Sequence, residues 1–245
     1  MAFNMNDVPA LSREKVERSA ADLLSEAESQ LQITLQPPID VELIADNYLN
    51  LQVIYDDLLT RFSNQELHGG LLVSRRQVLV EASLSLGRTN FTIGHEVGHW
   101  QLHRHLAPPL SDPDQVLLPG LATQDDDDHS PLLCRANDRA WGECQADWFA
   151  AALLMPAKWI YAAFNRCYPH PQIFNSSVLK AFHEGYHLDE FFPDEAISEA
   201  LRQVLKVVDS VAEVGHFTNV SKTALRVRLE TLKLITTGNG QKRLL

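Results

Sequence analysis

The motif His95-Glu96-Val97-Gly98-His99 is the feature that most limits how this chain can fold. Apolar residues on both sides of it predict a helix over about residues 90–105. On that helix the two histidines lie one turn apart on one face, so both imidazoles can bind a single metal ion. Glu96 is rotated about 100° from His95, so it can reach a water at that ion without being a ligand. This arrangement is typical of zinc hydrolases, in which a carboxylate takes a proton from the water.

A third metal ligand must come from elsewhere, and three residues compete for the role. His103 lies about 12 Å along the helix axis from His95, which is too far for both to bind one ion, so we expect it to pack beside the site. His105 stands at the last position of the metzincin pattern, but Leu102 replaces the glycine that lets the chain turn back in that pattern. The remaining candidate is Glu143, on a second predicted helix.

The segment Glu143-Cys144-Gln145-Ala146-Asp147 places two carboxylates one helical turn apart in apolar surroundings. Buried carboxylates need partners. Glu143 can complete the two-histidine, one-glutamate ligand set of thermolysin-like zinc enzymes. Asp147 can accept the free ring N–H of a ligand histidine and so fix its tautomer. The sequence therefore favours Zn²⁺ bound by His95, His99 and Glu143, with Glu96 as general base and with Asp147 and His103 as supporting residues.

The hydrophobic pattern predicts an α+β fold, with a small sheet of three or more strands packed on a helical core. Apolar residues at helical spacing predict a helix over residues 13–31, and Asp40 is expected to cap a second helix over 41–48. Strands are predicted at 51–55, 68–73 and 78–82. Further helices are predicted at 137–155, 158–167, 196–217 and 222–235.

Two changes in composition indicate how the chain is organised. Residues 107–135 hold five prolines and the run Asp125–Asp128 and lack periodicity, which predicts a long acidic, proline-rich loop. The sequence Tyr168-Pro169-His170-Pro171 interrupts the helical pattern. It predicts a boundary between a domain over residues 12–167 and a helical C-terminal region over 168–245, where the tail from 236 onward looks frayed.

Charge and cysteine content exclude some classes of protein. The net charge of −11 argues against general binding to a phosphate backbone. Apolar runs stay below 18 residues and the N-terminus lacks the pattern of a signal peptide, so we expect no membrane segment. The three cysteines are odd in number and scattered, which fits a reducing compartment. We therefore expect a cytoplasmic protein.

Four stretches of the chain resemble the ImmA/IrrE family of metallo-endopeptidases. The most specific is E-x-x-A-D-x-F-A-A-x-L-L-M-P over residues 143–156. The others are residues 38–45 with 53–57, residues 91–103 around the histidine motif, and residues 220–229. One departure is that the gap between His99 and Glu143 is longer than is usual in the family, because of the acidic loop.

The resemblance implies a fold, an activity and a partner. It implies a zincin-like metallopeptidase domain over residues 12–167 and a helix-turn-helix-like segment over 207–235. It implies a cytoplasmic zinc endopeptidase that cleaves or antagonises a helix-turn-helix repressor or antitoxin. His95, His99 and Glu143 would carry over as ligands, and Glu96 as general base.

Several questions stay open at this point. An oxyanion donor is needed, and the residues considered for it are Tyr161, Tyr168, His170 and His183. The strand over residues 78–82 can hold an extended substrate if its edge is free. The alternative function is a non-proteolytic regulator or toxin component that binds its partner, or DNA, through the C-terminal region. Contact with DNA is not favoured: we expect the leucines of the last helix to pack inward and its basic residues, Lys222, Arg226, Arg228 and Lys233, to be solvated.

Overall fold

The computed structural model describes residues 8–61, 67–106, 118–119, 141–175 and 195–237, the side chains of 118–119 and 195–198 excepted. The predicted α+β class is confirmed, since helices pack against a small sheet. Most of the predicted acidic loop and His183 lie outside the described residues. Within those residues, no helix combines the length and the apolar character that crossing a bilayer requires.

The first two helices of the described residues follow the sequence prediction closely. Helix α1 spans Arg13–Leu31, and its buried side chains recur at helical spacing. Helix α2 spans Val41–Leu43 and continues as a π-helical turn over Ile44–Tyr48. The side chain of Asp40 accepts a hydrogen bond from the Leu43 N–H at 2.9 Å, which confirms its predicted role as the N-cap.

The main sheet consists of three strands of four or five residues and a two-residue edge strand. The strands are β1 (Gln52–Asp56), β2 (Gly69–Leu72), β3 (Gln77–Glu81) and β4 (Leu118–Pro119), and helix α3 (Leu58–Arg61) follows β1. Their order in the sheet is β1-β3-β2-β4, with β1 and β3 parallel and the other pairs antiparallel. The expectation that residues 78–82 offer a free edge to substrate is wrong, because β3 is paired on both sides.

Three of the following helices carry or support the histidine motif. They are α4 (Leu86–Leu102), α5 (Trp141–Leu154) and α6 (Ala157–Cys167). Helix α4 starts four residues earlier than predicted because Ser85 already has the extended backbone of an N-cap. It also ends earlier, because His103 leaves the helical conformation at φ −125° and ψ −15°. A short 3₁₀ turn follows over Arg104–Leu106.

Among the described residues, the C-terminal region holds two helices and two short strands. Helix α7 spans Glu195–Gly215, close to its predicted bounds, and α8 spans Lys222–Thr231. Strand β5 (Gln172–Phe174) pairs in parallel with β6 (Ile235–Thr237). The predicted last helix is too long, because it ends at Thr231 and not at residue 235. The predicted frayed tail is wrong for residues 236 and 237, which belong to a strand. Lys233 turns the chain at φ 58°, and pairing with β5 orders residues 235–237.

One hydrophobic cluster connects the parts of the fold on both sides of residue 168. It contains buried residues from α1, the main sheet, α4 to α6 and the two C-terminal helices. The proposed domain boundary and the helix-turn-helix-like character of 207–235 stay predictions. What the packing shows is that α7 and α8 share a core with the elements that position the histidine motif.

The basic residues of α8 are not all solvated as we expected. Leu225 and Leu229 do pack inward, but Arg226 and Arg228 are also buried, with 3% and 2% of their surface exposed. Arg226 pairs with Glu230 on the same helix. Arg228 forms a two-point ion pair with Glu17 of α1 and donates to the Met155 carbonyl at 2.9 Å. Because buried guanidinium groups need partners, these contacts fix α8 against α1 and the end of α5.

We expect Glu17→Gln to lower the free energy of unfolding by about 2–3 kcal/mol, because it leaves the buried Arg228 charge without its anion. Glu14→Gln, which changes an exposed carboxylate on the same helix, should lower it by less than about 0.5 kcal/mol. Urea unfolding of the three proteins measures both values. Equal stability of the Glu17 and Glu14 variants would show that the ion pair contributes nothing.

Candidate metal centre

Small residues bring α4 and α5 close enough together for their polar side chains to meet. A Cβ atom built on Gly98 would lie 3.1 Å from both the Cα of Ala146 and the Cβ of Phe149. A Cβ atom on Gly94 would lie 3.3 Å from the Cβ of Ala150. Glycine inside a helix costs up to about 1 kcal/mol relative to alanine. The close approach of the two helices explains why glycine occupies both positions.

The three residues favoured as ligands converge in the structure. The Nε2 atom of His95 lies 2.9 Å from Nε2 of His99 and 3.2 Å from Oε2 of Glu143. The remaining side of this triangle, between His99 Nε2 and Glu143 Oε2, measures 3.5 Å. In a tetrahedral site with ligand bonds of 2.0–2.2 Å, neighbouring ligand atoms are about 3.3 Å apart. The triangle therefore has the size that a four-coordinate ion of this kind requires.

The converging side chains are almost completely buried. Their exposed fractions are 6% for His95, 0% for His99 and 2% for Glu143. Three such polar groups are costly to bury unless they bind one another or a shared partner. Together they form a buried histidine, histidine and glutamate group that can hold a metal ion.

His95 is held in place by the second carboxylate of α5. Its Nδ1 atom donates a hydrogen bond to Oδ1 of Asp147 at 2.8 Å, which directs Nε2 towards His99 and Glu143. Burial lowers the pKa of His95, but the hydrogen bonds and charges of Asp147 and Glu143 outweigh it and hold the pKa above its usual value. Asp147 thus lies where the sequence analysis places it, as the partner of a ligand histidine.

The other two ligand candidates carry the charges that cation binding requires. Burial lowers the pKa of His99, which favours the neutral imidazole that binds metals. Burial raises the pKa of Glu143, but the neighbouring His99 and His95 outweigh it and hold this pKa well below its usual value. Glu143 is therefore an anion.

His103 lies next to His99, and it has a partner that the sequence analysis did not identify. Its Nδ1 atom is 3.0 Å from Nδ1 of His99, and its Nε2 atom is 3.1 Å from Oε1 of Gln145. Burial lowers the pKa of His103 to about 4. The spacing in the sequence gives no indication of Gln145, because a residue two positions after Glu143 on a helix normally points away from it.

Glu96 is the acidic residue of the motif that lacks a partner. It is completely buried, and neither carboxylate oxygen has a hydrogen-bond partner among the described residues. Burial, with a contribution from Glu143 and against the opposing effect of His95, raises its pKa to about 8. A buried carboxylate with both oxygens free is costly, so its position indicates that it serves a group outside the chain, such as water.

The raised pKa of Glu96 predicts how pH affects the stability of the metal-free protein. The pKa rises from 4.5 to about 8 on folding, so the folded chain holds this proton more tightly. The stability that follows is fully present below pH 4.5 and is lost as the pH rises to about 8. We therefore expect Glu96→Gln to match the original chain at pH 4.5 and to be more stable by up to about 4 kcal/mol at pH 8.5. Unfolding in urea with a chelator present measures the free energy of unfolding of both proteins at the two pH values. The same difference between the two proteins at both pH values would contradict the prediction.

The structure does not bring the other candidate residues into this group. His105 is exposed in the 3₁₀ turn after α4, so the metzincin alternative finds no support. The hydroxyl groups of Tyr161 and Tyr168 lie 3.4 Å from the Leu232 carbonyl and from Oγ of Ser210, both in the C-terminal region. His170 is exposed. None of these three described candidates for the oxyanion donor is directed at the converging ligands.

Comparison with known proteins adds no family or relative to these observations. No protein-family model matches the chain, and no curated protein matches it. What the site does must therefore be inferred from its own residues and geometry.

Proposed function

We propose that this protein is a zinc-dependent endopeptidase that hydrolyses a peptide bond in a protein partner. The observation that carries the proposal is the convergence of His95, His99 and Glu143 beside the buried, unpartnered carboxylate of Glu96. Three ligands and a nearby general base are the parts that zinc peptidases combine. The resemblance to the ImmA/IrrE family adds the expected partner, a helix-turn-helix repressor or antitoxin in the cytoplasm.

Zinc is the metal that the donor set supports best. Two imidazole nitrogens and one carboxylate oxygen form a common catalytic zinc site with a fourth position for water or substrate. Calcium and magnesium prefer sites built from oxygen ligands, with six or more ligands around the ion. The separations of 2.9–3.5 Å between the three ligand atoms also fit bonds of the length that zinc makes.

The residues of the site have separate roles in the proposed hydrolysis. When bound, zinc supplies Lewis acidity, which lowers the pKa of water and polarises a carbonyl group. Glu96 takes the proton from the attacking water through a carboxylate oxygen and then gives it to the leaving amine. Asp147 keeps the His95 ring oriented. The positive charge of a bound zinc ion would lower the raised pKa of Glu96 and favour its carboxylate form. Because Glu96 has no other partner among the described residues, that carboxylate is available for both transfers.

The proposal is tested by incubating the protein with a candidate helix-turn-helix repressor or antitoxin, followed by mass spectrometry of the intact products. We expect defined fragments, no cleavage after zinc is removed with a chelator, and recovery when zinc is returned. A chelator-treated sample without added zinc is the control. Cleavage that continues at the same rate in the chelator would contradict a zinc-dependent mechanism.

One observation favours the second candidate, a regulator that holds a metal but binds its partner without cutting it. The most exposed of the three ligands, His95, shows only 6% of its surface. A metal ion held by such deeply buried ligands is difficult for a peptide bond of a folded partner to reach. In the same incubation this candidate predicts a stable complex and no fragments.

The contacts of the basic residues in the C-terminal region do not support binding to DNA. Arg226 and Arg228, two of the four basic residues considered for it, are buried in ion pairs with Glu230 and Glu17. A third, Lys222, forms an ion pair with Asp209 at 2.7 Å. We therefore expect the protein not to change the electrophoretic mobility of duplex DNA at moderate salt concentration. A change in mobility would support DNA binding.

A further inference from the structure

We propose that the carbonyl group of Pro9, the side chain of Gln145 and the ring of His103 form a directional hydrogen-bond relay that positions His99 for metal binding. The inference rests on the metal site of the proposed function, but not on peptide cleavage. It assigns a role to Gln145 and to the segment before α1.

The relay begins at a group that can only accept a hydrogen bond. The backbone carbonyl of Pro9 lies 2.9 Å from Nε2 of Gln145, so the amide nitrogen of Gln145 must donate to it. This contact fixes which way the amide is turned, and it leaves Oε1 facing His103. Gln145 has no exposed surface, so its amide has little freedom to reorient.

Each later step follows from the one before it. Oε1 of Gln145 can only accept, so the ring nitrogen 3.1 Å away, Nε2 of His103, must carry a hydrogen. A neutral His103 then has an acceptor at Nδ1. The facing Nδ1 of His99, at 3.0 Å, must therefore carry a hydrogen and donate it.

The consequence for His99 is that its other nitrogen has a free lone pair. That atom, Nε2, lies 2.9 Å from Nε2 of His95 and 3.5 Å from Oε2 of Glu143. The relay thus selects the tautomer in which His99 directs its acceptor nitrogen at the metal position. It also parallels the contact of Asp147 with His95, so each ligand histidine has its own partner at Nδ1.

The relay connects the two helices that provide the ligands. His99 and His103 belong to α4, whereas Gln145 belongs to α5, which also carries Glu143. His103 is 2% exposed and Gln145 is 0% exposed, so water does not compete for these hydrogen bonds. Partners that orient ligand histidines typically contribute about 10-fold to 100-fold to metal affinity. We expect the contact of Gln145 with His103 to contribute to metal affinity by the same factor.

The test compares the zinc affinity of three variants with that of the original chain, by competition with a chromophoric chelator. Gln145→Leu removes both hydrogen bonds and should weaken zinc binding by about 10-fold to 100-fold. Gln145→Glu loses the hydrogen bond to Pro9 but keeps an acceptor for His103, so it should lose less affinity than Gln145→Leu. Gln101→Leu removes an amide from α4 outside the relay and should leave the affinity unchanged.

A second measurement reports the tautomer directly. In the metal-free chain, ¹⁵N NMR of the imidazole groups should show His99 protonated at Nδ1 and unprotonated at Nε2. Gln145→Leu should give a mixture of the two tautomers. If Gln145→Leu fails to fold, His103→Gln, which keeps an acceptor, and His103→Leu, which does not, make the same comparison.

The outcomes separate this inference from the proposed function. Unchanged zinc affinity in Gln145→Leu, or equal losses in the Leu and Glu variants, would overturn the relay and leave the metal site standing. Absence of zinc binding in the original chain would overturn both. If the original chain binds zinc and the variants show the expected order of zinc affinities, but no partner is cleaved, the relay is supported and the proposed peptidase activity is not.

Discussion

Glu96→Gln is expected to retain zinc and to lower the rate of partner cleavage by about 10²-fold to 10⁴-fold, the range that general acid–base catalysis contributes. The amide has nearly the same shape as the carboxylate, but it cannot accept the proton of the attacking water. It also cannot return that proton to the leaving amine. Because the carboxylate is not among the three converging ligands, its loss should change the rate without changing metal content.

The measurement is single-turnover cleavage of the partner, with metal content determined on the same samples. Glu14→Gln, an exposed carboxylate on α1, serves as the matched control and should cleave at the original rate. If Glu96→Gln cleaves at that rate as well, the assignment of the general base is wrong. If it loses zinc, the carboxylate is a ligand rather than a base.

Glu143→Ala is expected to weaken zinc binding by more than about 100-fold, more than the loss of a partner that only orients a ligand. It removes one of three protein ligands and the negative charge that offsets the charge of the ion. It also leaves Nε2 of His95 without the carboxylate 3.2 Å away. The remaining two imidazoles still face each other but no longer enclose the ion on three sides.

Asp147→Asn provides the comparison for this variant. The amide oxygen can still accept the hydrogen bond of the His95 Nδ1–H, so we expect a loss of no more than about 10-fold in affinity. Isothermal titration with zinc at one pH value measures both variants. Equal affinities for Glu143→Ala and the original chain would show that another group supplies the third ligand.

Local spacing accounts for the parts of the site that the sequence predicts. His95 and His99 are four residues apart, so any helix through the motif brings their rings together. Glu143 stands out in the sequence because a carboxylate among apolar residues needs a partner, and the structure brings it to the two histidines. Helix α4 lies within four residues of its predicted bounds at both ends. Helix α5 ends one residue before its predicted end, and its predicted start at residue 137 lies outside the described residues.

Contacts between distant segments account for what the sequence does not reveal. Gln145 meets His103 only because Gly94 and Gly98 let α5 approach α4 closely. Arg228 is buried because Glu17, 211 positions away, neutralises it. Strand β6 forms only because β5 lies beside it. Such pairings depend on the tertiary structure, whereas helical periodicity is visible within a single segment.

The claim on which everything else depends is that His95, His99 and Glu143 together hold one zinc ion. The most direct measurement is the metal content of the purified chain after dialysis against zinc, with X-ray absorption to define the ligands. We predict one zinc per chain, bound by two imidazole nitrogens and a carboxylate oxygen at about 2.0–2.2 Å, and its loss in His99→Ala. A chain that retains no zinc, or a His99→Ala variant that retains as much as the original, would contradict the claim.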